Sequence, residues 1–266
     1  MRSFGLVRHA RAVDLTPYHA FLHELARESG DFIKPLFGQA GLEVERKDDQ
    51  SPVTAADRGA EELLRARINR KFPQHGIIGE EHGSERADAE WVWVLDPIDG
   101  TKSFITGVPL WGTLIALTYQ GQPVLGCIHQ PILDQIMIGD GTTTTLNGRA
   151  VRVRPCARLE DATLLFSDTF TPAAHPSREQ FDTLRRRVRL ARTWGDCYGY
   201  LLVASGRADV MMDPIMNPWD IAALVPIIKG AGGVITNLQG GPAYPAQDTI
   251  GCGNAALHAQ VLAALA

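Results

Sequence analysis

The chain has 266 residues, 45% hydrophobic and 21% charged, which is enough for a substantial core and too apolar for a disordered segment. Its 26 Lys and Arg against 30 Asp and Glu leave a formal charge of −4, without the basic excess of a general nucleic-acid binder. No apolar run approaches the roughly 18 to 20 residues of a membrane span, and Met1 to Leu15 has no continuous apolar segment, so a soluble, unexported, cytoplasmic protein is expected.

Apolar positions Phe21, Leu22, Leu25, Ile33 and Leu36 recur at helical spacing and predict a first helix reaching Phe37. Lys47 to Ser51 reads as a charged turn. Thr54 and Asp57 then open a second helix through Leu63, Leu64 and Ile68, stopped by Pro73. A strand and loop follow at Ile77 to Glu81, and then a strand at Trp91 to Leu95 that ends at Asp96-Pro97. Thr113 to Tyr119 and Val124 to Ile128, on either side of a Gly- and Pro-containing turn, predict an antiparallel hairpin, and short polar strands surround Asn147-Gly148.

From Leu159 strands alternate with helices, the mark of an α/β half. The strands are Thr163 to Ser167, Leu190 to Thr193 and Ala208 to Met212, and the helices Arg178 to Val188 and Tyr198 to Ser205. Asn217-Pro218 starts a helix predicted to run to Gly230, followed by strands at Val234 to Thr236 and Thr249 to Gly253 and a helix from Ala255 to Leu265. The change of pattern suggests two units, 1–155 and 156–266, the first carrying most candidate metal ligands and the second completing the pocket. Cys127, Cys156, Cys197 and Cys252 show no zinc spacing and are expected to be reduced, buried thiols.

Carboxylates cluster beside turn residues in Gly79-Glu80-Glu81, Asp96-Pro97-Ile98-Asp99-Gly100-Thr101 and Trp219-Asp220. Asp96 and Asp99, three residues apart across a proline turn, can converge on one point and leave the Ile98 carbonyl as a third oxygen ligand. Such hard oxygen donors suit magnesium. Gly100 permits close backbone approach, and its amide with that of Thr101 would face an anion if a helical turn opens there.

In these segments the chain resembles the inositol monophosphatase family of magnesium-dependent phosphatases. Val53-Thr54-Ala55-Ala56-Asp57 and Ala231-Gly232-Gly233 extend the resemblance over most of the sequence. It implies an α+β fold, a layered α-β-α-β-α sandwich of two subdomains, and two to three Mg2+ per active site. Glu80, Asp96 and the Ile98 carbonyl would hold one ion, and Asp96, Asp99 and Asp220 a second. Thr101 and Asp57 would orient and deprotonate the attacking water, Glu80 assisting through a further, loosely held ion, while the Gly100 and Thr101 amides bind phosphate. Members are commonly homodimers, so a homodimer acting on a small phosphate ester is expected.

Asp99-Gly100-Thr101-Lys102-Ser103-Phe104, the segment from Gly107 to Leu114, and Trp194 to Tyr200 look most like the histidinol-phosphatase branch. L-histidinol phosphate carries an ammonium and an imidazole, so its pocket should present carboxylates, for which Asp196 and Asp213 are candidates. Asp213 suits a sugar hydroxyl equally, which would favour inositol 1-phosphate, and Asp196 suits a helix cap. Lys102 also occurs in the nucleotide-bisphosphate branch and does not decide the substrate. Arg192 is a candidate for substrate-side electrostatics or a structural ion pair. Trp111, Trp194 and Tyr198 could stack on the imidazole or belong to the core.

Gly5 to Ala10 resembles the start of phosphohistidine-forming phosphatases, with His9 as nucleophile. Ala10 replaces the expected glycine and no second catalytic-histidine motif follows. Arg185-Arg186-Arg187 with Arg189 reads as a solvated helix face. A non-catalytic metal-binding scaffold would require loss of a ligand or of the water-activating pair, and none is lost.

Overall fold

The computed structural model describes residues 14–39, 44–46, 52–168 and 178–266. The Gly5–Ala10 motif and the Lys47–Ser51 turn lie outside them. In chain order, the first half carries α1 (Thr16–Ile33), β1 (Val44–Arg46), β2 (Pro52–Thr54), α2 (Ala55–Lys71), β3 (Gly76–Gly79), β4 (Gly83–Glu85) and β5 (Trp91–Asp99). There follow α3 (Thr101–Ile105), β6 (Gly112–Tyr119), β7 (Gln122–Gln130), β8 (Gln135–Gly139), β9 (Thr144–Leu146) and β10 (Arg149–Ala150). The second half carries β11 (Thr163–Leu165), α4 (Arg178–Arg187), β12 (Leu190–Arg192), α5 (Asp196–Ala204), β13 (Val210–Asp213) and α6 (Pro218–Ala222). It ends with α7 (Leu224–Gly230), β14 (Val234–Thr236), β15 (Thr249–Cys252) and α8 (Ala255–Leu265).

An eight-stranded sheet has the order β10-β9-β8-β7-β6-β5-β3-β4, antiparallel except where β3 runs parallel to β5. Alternate side chains leave it on opposite faces. Trp93, Leu95, Ile115, Leu117, Leu125 and Cys127 meet Phe21, Leu22 and Leu25 of α1 and Leu64 and Ile68 of α2. Val94, Leu114, Ala116, Ile128 and Met137 on the other face meet α5 and α7 through Tyr200, Leu201, Ile227 and Ile228. Burial on both faces is why β5 and β6 read as nearly unbroken apolar runs.

The second sheet, β12-β11-β13-β15-β14, covers the far side of the same helices. Leu165 and Met211 point to them, whereas Leu164, Val210, Met212, Ile250 and Cys252 point outward to Phe181 and Leu184 of α4 and Leu257 and Val261 of α8. The layers are thus α1/α2, sheet, α5–α7, sheet, α4/α8, the expected α-β-α-β-α sandwich. Since α5 and α7 pack directly on the first sheet, we propose that 1–155 and 156–266 be treated as subdomains sharing a core. Gly126 makes that contact close, because a Cβ there would collide with the Ala223 carbonyl.

The helix expected from Asn217 to Gly230 is two, broken at Ala223. Pro226 explains the break: it has no N–H to offer residue 222, and its ring crowds that carbonyl. Pro35 likewise ends α1 in a 3-10 turn over Lys34–Leu36, short of the helical reach to Phe37. Strand β8 was not anticipated, and β5 runs four residues beyond Leu95. All four cysteines are free and buried.

Candidate active site

Strand β5 pairs with β6 at Asp96–Leu114 and next at Asp99–Gly112, so the register shifts across Pro97 and Ile98. Proline cannot donate to a ladder and is accommodated where pairing is interrupted. The Ile98 N–H turns back onto the Asp96 carboxylate at 3.0 Å, and Thr113 Oγ1 donates to the Pro97 carbonyl at 2.8 Å. Gly100, at φ +87°, reverses the chain into α3, realising the helical turn expected at Thr101. A Cβ on Gly100 would lie 3.0 Å from the Asp196 carboxylate, so glycine also admits that side chain.

Each remaining acid is held by backbone. The Cys197 amide, in the first turn of α5, donates to Asp99 Oδ2. The Asn217 amide donates to Asp220 Oδ2 at 2.7 Å at the start of α6. The Glu80 amide donates to the Leu95 carbonyl at 3.2 Å, tying the end of β3 to β5. Ligand oxygens of Asp96, Asp99 and Asp220 lie within 4.8 Å of one another.

Gathering these acids is electrostatically costly. Burial, then the Glu80, Asp99 and Asp220 charges, push Asp96 well above the usual carboxylate range. Burial followed by Asp196 and Asp220 does the same to Asp99. Asp220 is raised to about 7, chiefly by burial, against the Asn217 amide that favours its ionised form. An all-oxygen donor set with this mutual repulsion, half-buried at the mouth of a cleft, fits a hard cation, which would supply the missing positive charge.

Two clefts open on this centre. One is lined by Glu80, Asp96, Ile98, Asp99, Gly100, Thr101, Lys102, Asp196, Asn217 and Asp220. The other, of about 320 Å³, shares Asp99, Lys102, Asp196 and Asp220 and adds Ser167, Asp168, Asp213, Pro214, Ile215 and Met216. Ser167 organises the second: its Oγ donates to Asp213 Oδ1 at 2.5 Å and accepts the Asp196 amide at 3.1 Å. Asp213 Oδ2 is buried and makes no well-formed hydrogen bond among the described residues, although the Tyr200 hydroxyl is close enough to favour its ionised form. Burial raises Asp213 to about 7, against the Ser167 hydroxyl.

The structure therefore brings together Glu80, Asp96, Ile98, Asp99, Gly100, Thr101, Asp196, Asp213 and Asp220. Asp57 lines neither cleft: its Oδ2 accepts the Thr54 amide at 2.8 Å and hydroxyl at 2.6 Å, and burial raises its pKa, with Glu80 adding to the effect. Thr101 Oγ1 donates to the Ile98 carbonyl at 3.0 Å. Asp196 is the first residue of α5, and the N-cap position itself is taken by Gly195. Arg192 lies on β12 with an exposed side chain, its Nη1 on the Ala191 carbonyl at 2.8 Å, and lines neither cleft. Trp111 is core, packed against Phe37 and Phe104; Trp194 is 44% exposed, and Tyr198 is half-buried against the central helices. Ser167 and Asp168 were missed, though both follow β11, whose last residue Leu165 pairs with Met211 of the parallel β13, so that Ser167 meets Asp213 two residues on.

Comparison with known proteins agrees with this geometry. The profile of the inositol monophosphatase family matches residues 14–266. A protein named histidinol-phosphatase from Chlorobaculum parvum is 43% identical, the match covering 85% of this chain and 88% of that protein. One of the same name from Mycobacterium tuberculosis is 36% identical over 91% of this chain and 95% of its own. A solved inositol monophosphatase from Zymomonas mobilis superposes with a TM-score of 0.86 at 38% identity, covering 96% of this chain and 99% of that one. With the fold, the acidic centre and a family match across nearly the whole chain in agreement, this protein belongs to the inositol monophosphatase family and is a phosphatase.

Proposed function

We propose that the protein is a Mg2+-dependent phosphomonoesterase that hydrolyses L-histidinol phosphate to L-histidinol and phosphate. The observation that carries the substrate assignment is the second cleft, where Asp99, Asp168, Asp196, Asp213 and Asp220 face one lysine, Lys102. Among the described residues Asp213 also keeps a buried oxygen without a well-formed hydrogen bond. Such a cleft favours a cationic alcohol: its ammonium can bind Asp213 or Asp196 by a charge-assisted hydrogen bond, and Pro214, Ile215 and Met216 offer an apolar wall to the imidazole. The names of the relatives from C. parvum and M. tuberculosis support the same reading.

In this proposal Glu80, Asp96, Asp99, Asp220 and the Ile98 carbonyl hold the magnesium ions. Bound there, magnesium would neutralise the phosphate dianion, acidify a water and stabilise the leaving oxygen. The Gly100 and Thr101 amides, at the opening of α3, receive phosphate oxygens. Thr101 and Asp57 orient the attacking water and take up its proton, with Glu80 assisting. Asp57 suits the role because burial has raised its proton affinity. The P–O bond to the alcohol breaks in line as the water oxygen bonds to phosphorus, and the departing oxygen takes a proton from solvent. No enzyme-bound phosphoryl group forms. Arg192 is assigned no role.

The same reading places the protein as a cytoplasmic homodimer at the dephosphorylation step of histidine biosynthesis, with no nucleic-acid or membrane partner. No helix among the described residues is long and apolar enough to cross a membrane. The test is phosphate release from L-histidinol phosphate, inositol 1-phosphate and adenosine 3′,5′-bisphosphate at matched concentrations, with Mg2+ and with chelator. A chelator-sensitive preference for histidinol phosphate is expected. Preference for inositol 1-phosphate would reassign Asp213 to a sugar hydroxyl, and no magnesium-dependent release from any ester would overturn the catalytic reading.

A further inference from the structure

Helix α2 carries a stripe of buried polar side chains beside its apolar one. Asp57, Glu61 and Arg65, spaced by four, are 1%, 0% and 7% exposed. At 3.6 residues per turn they share one flank of the helix. Asp57 has a place in the proposed site, whereas Glu61 and Arg65 have none so far.

Arg65 Nε donates to Glu61 Oε1 at 2.7 Å, its Nη1 to Glu85 Oε1 at 2.9 Å, and its Nη2 to the Gly83 carbonyl. Glu61 also accepts two consecutive backbone amides, Glu81 at 2.7 Å and His82 at 3.1 Å. Those residues form the tip of the hairpin between β3 and β4, since Gly79 pairs with Gly83 and leaves Glu80 to His82 as the turn. Amides at an exposed hairpin tip ordinarily bind water. Here both turn inward, onto a carboxylate that solvent does not reach. A Cβ on Gly79 would collide with the Glu61 carboxylate and the Arg65 guanidinium, so the glycine lets the strand lie directly over the pair.

We propose that Glu61, neutralised and oriented by Arg65, is a positioning residue for Glu80. By holding the amides of the next two residues from below, it fixes the hairpin tip so that Glu80 is delivered to Asp96. The inference rests on the reading of Glu80 as a magnesium ligand given above. A purely structural ion pair makes a different prediction: replacing a buried pair with apolar residues of similar volume often preserves or raises stability, and nothing else need change. A positioning pair must also surrender metal affinity, because groups that orient a ligand typically contribute about 10- to 100-fold.

The experiment uses the full chain and magnesium alone as probe. In the wild type, hydrogen exchange at the Glu81 and His82 amides should be slowed at least about tenfold relative to an open turn. Exchange at open-turn rates would overturn the proposal without any variant. In Glu61→Leu/Arg65→Met that protection should vanish, and magnesium affinity, read from the magnesium-induced rise in melting temperature, should fall about tenfold or more. The magnesium concentration for half-activation should rise in parallel while the substrate KM changes little. If the double variant does not fold, Glu61→Gln, which keeps one acceptor oxygen and removes the charge, is read the same way. Unchanged magnesium affinity in a folded variant would overturn the clamp. Glu80→Gln separates the two ideas: if it keeps full magnesium affinity and turnover, the metal-site reading fails, whereas if it loses both and the Glu61 variants lose neither, only the clamp fails.

Discussion

The acidic centre of Asp96, Asp99 and Asp220 and the neighbouring cleft of Ser167, Asp196 and Asp213 share residues but are built differently. Two of the three acids in the centre are set by their own chain: Asp96 by the amide two residues on, and Asp220 by the amide three residues back. The cleft depends on Ser167 bridging to Asp196 and Asp213, 29 and 46 residues away. Local geometry of the first kind suits a reaction step that does not vary with the alcohol. Geometry assembled from separate strands can change without disturbing it, and the proposed function assigns selectivity for the alcohol there.

The comparison is broken most severely at the centre. Asp99→Asn removes a charge from the ligand set and weakens the link to the Cys197 amide, and turnover should fall on the order of a thousandfold or more for every phosphate ester. Phosphate release measures this. Unchanged release would remove Asp99 from the site, and loss of turnover would exclude the non-catalytic scaffold.

A smaller effect concerns pH and stability. Asp213 and Asp220 sit at about 7 in the fold against 3.8 ordinarily. Between about pH 4 and pH 7 the folded chain without metal therefore binds protons that the unfolded chain has released. Stability without metal should fall as pH rises through that window. Melting in chelator at about pH 5.5 and pH 8 tests the sign, and added magnesium should offset most of the loss at pH 8. A melting temperature that rises with pH in chelator would contradict the assignment. The smallest effect is expected of Ser167→Ala: with one neutral hydrogen-bonding group removed, KM for histidinol phosphate should rise roughly three- to tenfold with kcat little changed. A loss confined to kcat would place Ser167 in the reaction step instead.

What could be read from the sequence follows the same division. Asp96, Asp99 and Gly100 lie in one short segment whose proline and glycine declare a turn, and Asn217-Pro218 announces the helix that carries Asp220. The two-faced burial of β5 and β6 was legible as apolar runs. Ser167 was not, because a serine after a short strand acquires meaning only when a parallel neighbour ends beside it. Nothing in the sequence singles out Glu61 and Arg65, since the hairpin that buries them lies about twenty residues on. The break at Ala223 was available in Pro226 but was outweighed by the apolar period around it.

The central claim is that the cleft reads the charge of the alcohol while the centre performs the hydrolysis. It is tested most directly by Asp213→Asn assayed on L-histidinol phosphate and on 4-nitrophenyl phosphate, which carries neither an ammonium nor hydroxyl groups. The account predicts a loss in kcat/KM of roughly 10- to 100-fold on histidinol phosphate, the worth of one charged hydrogen bond, with the 4-nitrophenyl ester changed by no more than about threefold. Equal losses on both esters, or none on either, would contradict it.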